Sequence, residues 1–191
     1  MQKDDHDHDH ADVRETKAMP GFEPMKAITR YELAATLFAL VTHIEAAASQ
    51  PRRSPREVKP GRKSNTAPDP TKAKRFSDVP ASHWAAKSIA GLNARNVARV
   101  STSAFEGEKS VTGNEAAVWL EGLAAWVEGR PSKARSAREF AAAGYVPQTD
   151  PLVKKATQPI AATEVSQALV RVIARTQEKV TTISPDSRFA K

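Results

Sequence analysis

The chain has 191 residues and a formal net charge of +7, from 29 Lys and Arg against 22 Asp and Glu. It contains no cysteine, which excludes disulfides, Cys-ligated zinc and thiol catalysis. A hydrophobic content of 40% supports a packed core, whereas 27% charged residues, 13 prolines and a mean hydropathy of -0.51 put much of the length outside it.

A basic surface attracts polyanions such as nucleic acid, acidic lipid headgroups or acidic wall glycans, and charge alone does not choose among them. No run approaches the roughly 20 apolar residues of a membrane span. The acidic start from Gln2 to Asp12 is unlike a signal peptide, so an exported protein would be present here in its processed form.

In chain order, residues 1–17 open with Asp4-Asp5-His6-Asp7-His8-Asp9-His10, which has nothing apolar to bury and predicts a solvated tail. Imidazole and carboxylate could bind a divalent metal loosely, but nothing in the spacing imposes a coordination geometry, and no metal site or cofactor is expected. Leu33, Leu37, Leu40, Val41 and Ile44 fall at helical spacing and predict a helix over 28–48. Residues 49–75 are rich in Pro, Lys and Arg and read as an extended linker.

Beyond the linker, Trp84, Ile89 and Leu92 predict a helix over 82–96, with Asn96 as a left-handed terminator. Leu120, Leu123 and Val127 predict another over 112–128, stopped at Gly129 ahead of Pro131. Helices are also expected over 133–143, ending at Gly144, and over 163–178 on Val165, Leu169, Val172 and Ile173. No period-two run appears, so strands are not expected beyond short bridges. The fold class is all-α.

Three segments resemble one another: Ile28-Thr29-Arg30-Tyr31-Glu32, Val111-Thr112-Gly113-Asn114-Glu115 and Ile160-Ala161-Ala162-Thr163-Glu164. Each places a β-branched apolar residue four positions before a glutamate, ahead of a long amphipathic helix. The pattern is a capping box: Thr29 with Glu32, and Thr112 with Glu115, satisfy each other's free amides. Ile28 can staple onto Leu33. Ala161 has no hydroxyl, so the third start, which keeps Glu164, loses about 1 kcal/mol of capping.

Phe76-Ser77-Asp78-Val79-Pro80, then His83-Trp84-Ala85, Ile89 and Leu92, with Phe105 and Val111-Thr112-x-x-Glu115 downstream, resembles an S-layer-homology motif. Gly21-Phe22-Glu23-Pro24 before Ile28 resembles the second half of one such motif. Phe140 and Gly144-Tyr145-Val146, leading to Pro159-Ile160 and Glu164, resemble a third motif that has lost its opening. The domain reading is then a tail at 1–17, the second half of a repeat at 18–48, the basic insertion at 49–75, a repeat at 76–130, a degenerate repeat at 131–179, and a second tail at 180–191.

That resemblance implies three motifs packed about a pseudo-threefold axis, and a lectin in place of an enzyme: an exported, cell-wall-anchoring module that binds pyruvylated polysaccharide or a peptidoglycan-linked glycan in grooves between motifs. It also implies a ligand role for Arg30, which follows the capping threonine and could grip a carboxylate bidentately, with Asp78 and Trp84 beside it. Gly113 and Ala162 occupy the arginine position in the other two copies.

Each of these residues has a structural alternative. Arg30 could be a solvent-facing first-turn residue, Trp84 a core anchor, Asp78 a turn or cap residue and His83 a helix-start surface residue. Trp119 and Trp126, a heptad apart, could line a groove or pack against a neighbouring repeat. No phosphate loop, thiol nucleophile or serine elbow is present, so no enzymatic activity is expected. A second reading keeps the fold and makes the chain a protein-interaction scaffold of the envelope with no glycan ligand. A third, polyanion or nucleic-acid binding by the linker, ranks last, because no aromatic residue is interleaved for base stacking.

Overall fold

The computed structural model describes residues 23–49 and 74–183, with side chains described over 23–47 and 74–177. Six helices lie among them: α1 (Arg30–Ser49), α2 (Ala86–Ala94), α3 (Gly113–Val127), α4 (Ala137–Ala142), α5 (Pro151–Lys154) and α6 (Ala162–Ile183). The described residues hold no strand. They contain three isolated antiparallel bridges, pairing Ala27 with Ala161, Thr29 with Ser110 and Thr112 with Pro159. No described helix is long and apolar enough to cross a membrane. The tail at 1–17 and the linker up to residue 73 fall outside the described residues, as does the chain beyond 183.

The bridges meet at one place. The amide of Ile28 donates to the carbonyl of Ile160 at 3.0 Å, Ile160 donates to Val111 at 3.0 Å, and Val111 donates back to Ile28 at 2.9 Å. The ring is closed, and all three side chains are buried. A buried backbone amide without a partner is costly, so each β-branched residue ties down the other two. The long helices α1, α3 and α6 all leave from this ring.

Capping proceeds as the threonines and glutamates predict at two of the three starts. Glu32 donates its amide to Thr29 Oγ1 and accepts that of Thr29 at 2.7 Å. Thr112 and Glu115 repeat the exchange at 3.3 and 3.0 Å. At the third start, Glu164 still accepts the amide of Ala161 at 2.9 Å, and the free amides of Ala162 and Thr163 donate to the carbonyls of Lys26 and Pro24. The helix that lacks a hydroxyl cap is thus held by a loop from the far end of the chain.

The core joins Leu33, Leu37 and Val41 of α1, Ile89 and Leu92 of α2, Leu120 and Leu123 of α3, Phe140 of α4, Leu152 of α5, and Val165 and Val172 of α6. Phe105 is at its centre, edge-on to Phe76 and 6.0 Å from Trp119. The short helices pack on the long ones: α2 on α1, and α4 and α5 on α3, which also carries α6.

Three boundaries and one helix differ most from expectation. The helix predicted from residue 82 starts at Ala86, because His83 turns back and accepts the Ala85 amide on Nδ1 at 3.2 Å. The helix predicted from 133 starts at Ala137: Glu121 captures the Lys133 amide, and Ser136 accepts the Glu139 amide as the cap. α5 was not foreseen, although Asp150-Pro151 is a legible start, with Asp150 accepting the Leu152 amide at 3.0 Å and proline in the first turn. α6 runs to Ile183, past the predicted stop at 178. The terminators behave as predicted, Asn96, Gly129 and Gly144 having φ of 56, 66 and 81°.

Candidate functional site

Arg30, Asp78 and Trp84 do come together, in the seam where α1 meets the segment between Phe76 and Val111. Arg30 sits in the first turn of α1, yet it is only 9% exposed, which overturns its reading as a solvent-facing residue. Its guanidinium is shared among four acceptor contacts. Nε donates to Glu115 Oε1 at 3.1 Å, Nη2 reaches the same oxygen, and Nη1 donates to the Phe105 carbonyl at 2.8 Å and to Glu106 Oε2 at 3.2 Å. The arginine therefore bridges α1 to the capping box of α3.

Glu115 does two jobs as a result. Burial acts to raise its carboxyl pKa, but the hydrogen bonds from Arg30 and from the Thr112 amide and hydroxyl outweigh this and hold it below the ordinary glutamate range. Its charge is matched inside the fold.

Asp78 has a similar role. Its two carboxylate oxygens accept the amides of Phe105 and Glu106, each at 2.7 Å, pinning the loop that presents carbonyls to the start of α1. Burial raises its pKa, and these amides together with the charge of Arg30 lower it further than burial raises it. Asp78 acts as a cap across 27 residues of sequence, a distance at which its local turn reading could not place it.

Trp84 is half-buried and packs against the core, 5.8 Å from Tyr31. His83 stacks on the other part of Tyr31 at 4.4 Å, and Tyr31 in turn stacks on Phe105. Burial raises the Tyr31 phenol, and the charges of Asp78 and Glu108 add to the shift. His83 and Trp84 are both only partly buried.

The two positions equivalent to Arg30 are closed. A Cβ on Gly113 would lie 2.1 Å from the Leu152 carbonyl oxygen and 2.7 Å from that of Lys155, so α5 and the turn after it leave no room for any side chain. Ala162 is buried. Glycine at 113 is thus a packing requirement of α5, which the sequence reading missed because it missed α5.

A second polar cluster, also missed, lies between α3 and α4. Glu121 is 2% exposed, yet it accepts from Arg130 Nη1 at 2.6 Å, from the Ser132 hydroxyl and from the Lys133 amide. Arg130 also donates to Glu128 and to the Tyr145 hydroxyl, each at 2.5 Å. Burial pushes Glu121 up and these donors push it down by more, so it stays ionised well below the ordinary range. Its only sequence signal was a glutamate inside an otherwise apolar run.

No group of three or more His, Asp or Glu side chains poised to hold a metal occurs among the described residues. Comparison with protein-family models, with curated proteins and with solved structures returns no match to this chain.

Proposed function

We propose that the chain is a non-catalytic, S-layer-homology-type module of the cell envelope, in which three related segments form a pseudo-threefold scaffold that holds a protein partner. The closed hydrogen-bond ring of Ile28, Val111 and Ile160 supports the threefold reading, since it joins the three segments that resemble one another in sequence. The observation that carries the functional choice is the burial of Arg30. A guanidinium already shared among Glu115, Glu106 and the Phe105 carbonyl has little left to offer an acidic sugar. Gly113 and Ala162 cannot replace it.

This reading predicts that the full chain stays in the supernatant when mixed with isolated cell walls, and that the immobilised chain retains one saturable protein from solubilised envelope. Sedimentation with walls, reversed by soluble wall glycan, would sink it. Wall-glycan anchoring is the second reading, and one observation favours it: Trp84 and His83, both partly exposed, contact the Tyr31 ring. If that reading holds, Trp84→Ala weakens wall binding at least tenfold while leaving the thermal midpoint within a few degrees.

A further inference from the structure

Each short helix that precedes a long one packs on the long helix of the segment before it. α2, which leads to α3, lies on α1, and α4, which leads to α6, lies on α3. Under the threefold reading, a short helix leading to α1 would lie on α6. The loop that belongs with it is in place. Thr163 donates its amide to the Pro24 carbonyl at 3.1 Å and Ala162 to that of Lys26 at 3.2 Å, just as Tyr31 donates to Gly107 and Arg30 to Lys109, each at 3.0 Å. Among the described residues, however, no helix precedes α1, and α6 packs against α3 and α5.

The uncovered face shows in matched residues. Phe38 of α1 is pressed by Gly91 of α2, and Glu121 of α3 is bound by the segment entering α4. Val170, the matched residue of α6, is 65% exposed. Ser166, Gln167 and Ala174, on the same side of the helix, are exposed and uncharged. The other large apolar side chain left in solvent among the described residues is Met25, 82% exposed, in the loop bonded to the first turn of α6. One exposed apolar side chain is ordinary on any surface; here both border the one long helix that carries no short helix.

The occupant is narrowed by what the chain has to spare. A second copy offers no free short helix, because Ile89 and Leu92 of α2 and Phe140 of α4 are buried in its own core. Residues 1–22 contain one pair of large apolar residues at helical spacing, Met19 and Phe22, and the intervening Pro20-Gly21 opposes a helix.

We infer that the outer face of α6, together with Met25, docks a short amphipathic helix of a partner protein, in the manner of α2 on α1. That helix sets an aliphatic or aromatic side chain against Val170 and, because the face is uncharged, surrounds it with neutral polar groups. The inference rests on the scaffold reading and gives it a docking face: the partner supplies the short helix that completes the threefold arrangement.

The chain has no cysteine, so the full-length Val170→Cys variant can be labelled at one place with benzophenone maleimide and irradiated in detergent-solubilised cell envelope. One envelope protein should crosslink, through a peptide with apolar residues three or four apart. Immobilised Val170→Asp should bind that protein about tenfold more weakly than wild type, and Met25→Asp severalfold more weakly. Ala39→Asp, at an exposed position of α1, should bind as wild type does. Circular dichroism should show all three Asp variants as helical as the wild type. Undiminished binding by Val170→Asp would overturn this docking face and leave the scaffold reading standing; no binding by the wild type would end both. A crosslink to residues 1–22, or to a second copy, would overturn the inference in favour of that occupant.

Discussion

α3 and α6 leave the same hydrogen-bonded ring but differ in what covers them. Ten of the 15 residues of α3 are buried, including a glutamate, because α4, α5 and α6 all pack against it. α6 buries Val165, Ala168, Val172 and Thr176 on one side, and shows Ser166, Gln167, Val170 and Arg171 to solvent on the other. The ninth residue after each cap position condenses the contrast. In α1 it is Phe38, pressed against Gly91 of α2, where even a Cβ would lie 2.1 Å from the ring. In α3 it is Glu121, bound to the segment leading into α4, and in α6 it is Val170, 65% exposed. A helix covered on both sides must be apolar all round or must carry fully paired polar groups; a helix covered on one side is ordinarily amphipathic.

The largest test of this contrast is Glu121→Ala. It leaves Arg130, Ser132 and the Lys133 amide without their shared acceptor, and should cost about 3–5 kcal/mol in denaturant unfolding. The same group sets a pH dependence. Because its folded pKa lies below the ordinary 4.5, its contribution is fully present above that value and is lost as pH falls through the lower, folded one. Stability measured across acid pH should therefore fall less steeply in Glu121→Gln than in the wild type, and an identical slope would show that the buried charge is not what holds the α3–α4 junction.

Gly113→Ala comes next, at about 2–3 kcal/mol, because the new methyl meets backbone oxygens of Leu152 and Lys155 that are held by α5. Phe38→Ala should cost about 2 kcal/mol by emptying the contact with α2, read as a shift in the denaturant midpoint. Val170→Ala, at the corresponding position of α6, should change stability by less than about 0.5 kcal/mol. If the last two effects were equal, the covered and uncovered faces would not differ in the way the burial pattern indicates.

The sequence by itself was enough for the all-helical class, the two capping boxes at Thr29 and Thr112, and the terminators Asn96, Gly129 and Gly144, because each depends on residues within a few positions of one another. It was also enough to single out Ile28, Val111 and Ile160, since a repeated pattern of capping and hydrophobicity is local three times over. What only the tertiary structure decided was how distant groups pair. Arg30 turns inward to Glu115 across 85 residues, Asp78 pins a loop 27 residues away, and Glu121 delays the start of α4 by taking the Lys133 amide. A charged side chain carries no mark in the sequence of which remote carbonyl, amide or carboxylate will meet it. Burial removes water as the alternative partner, and the identity of the pair is then set by which helices pack together.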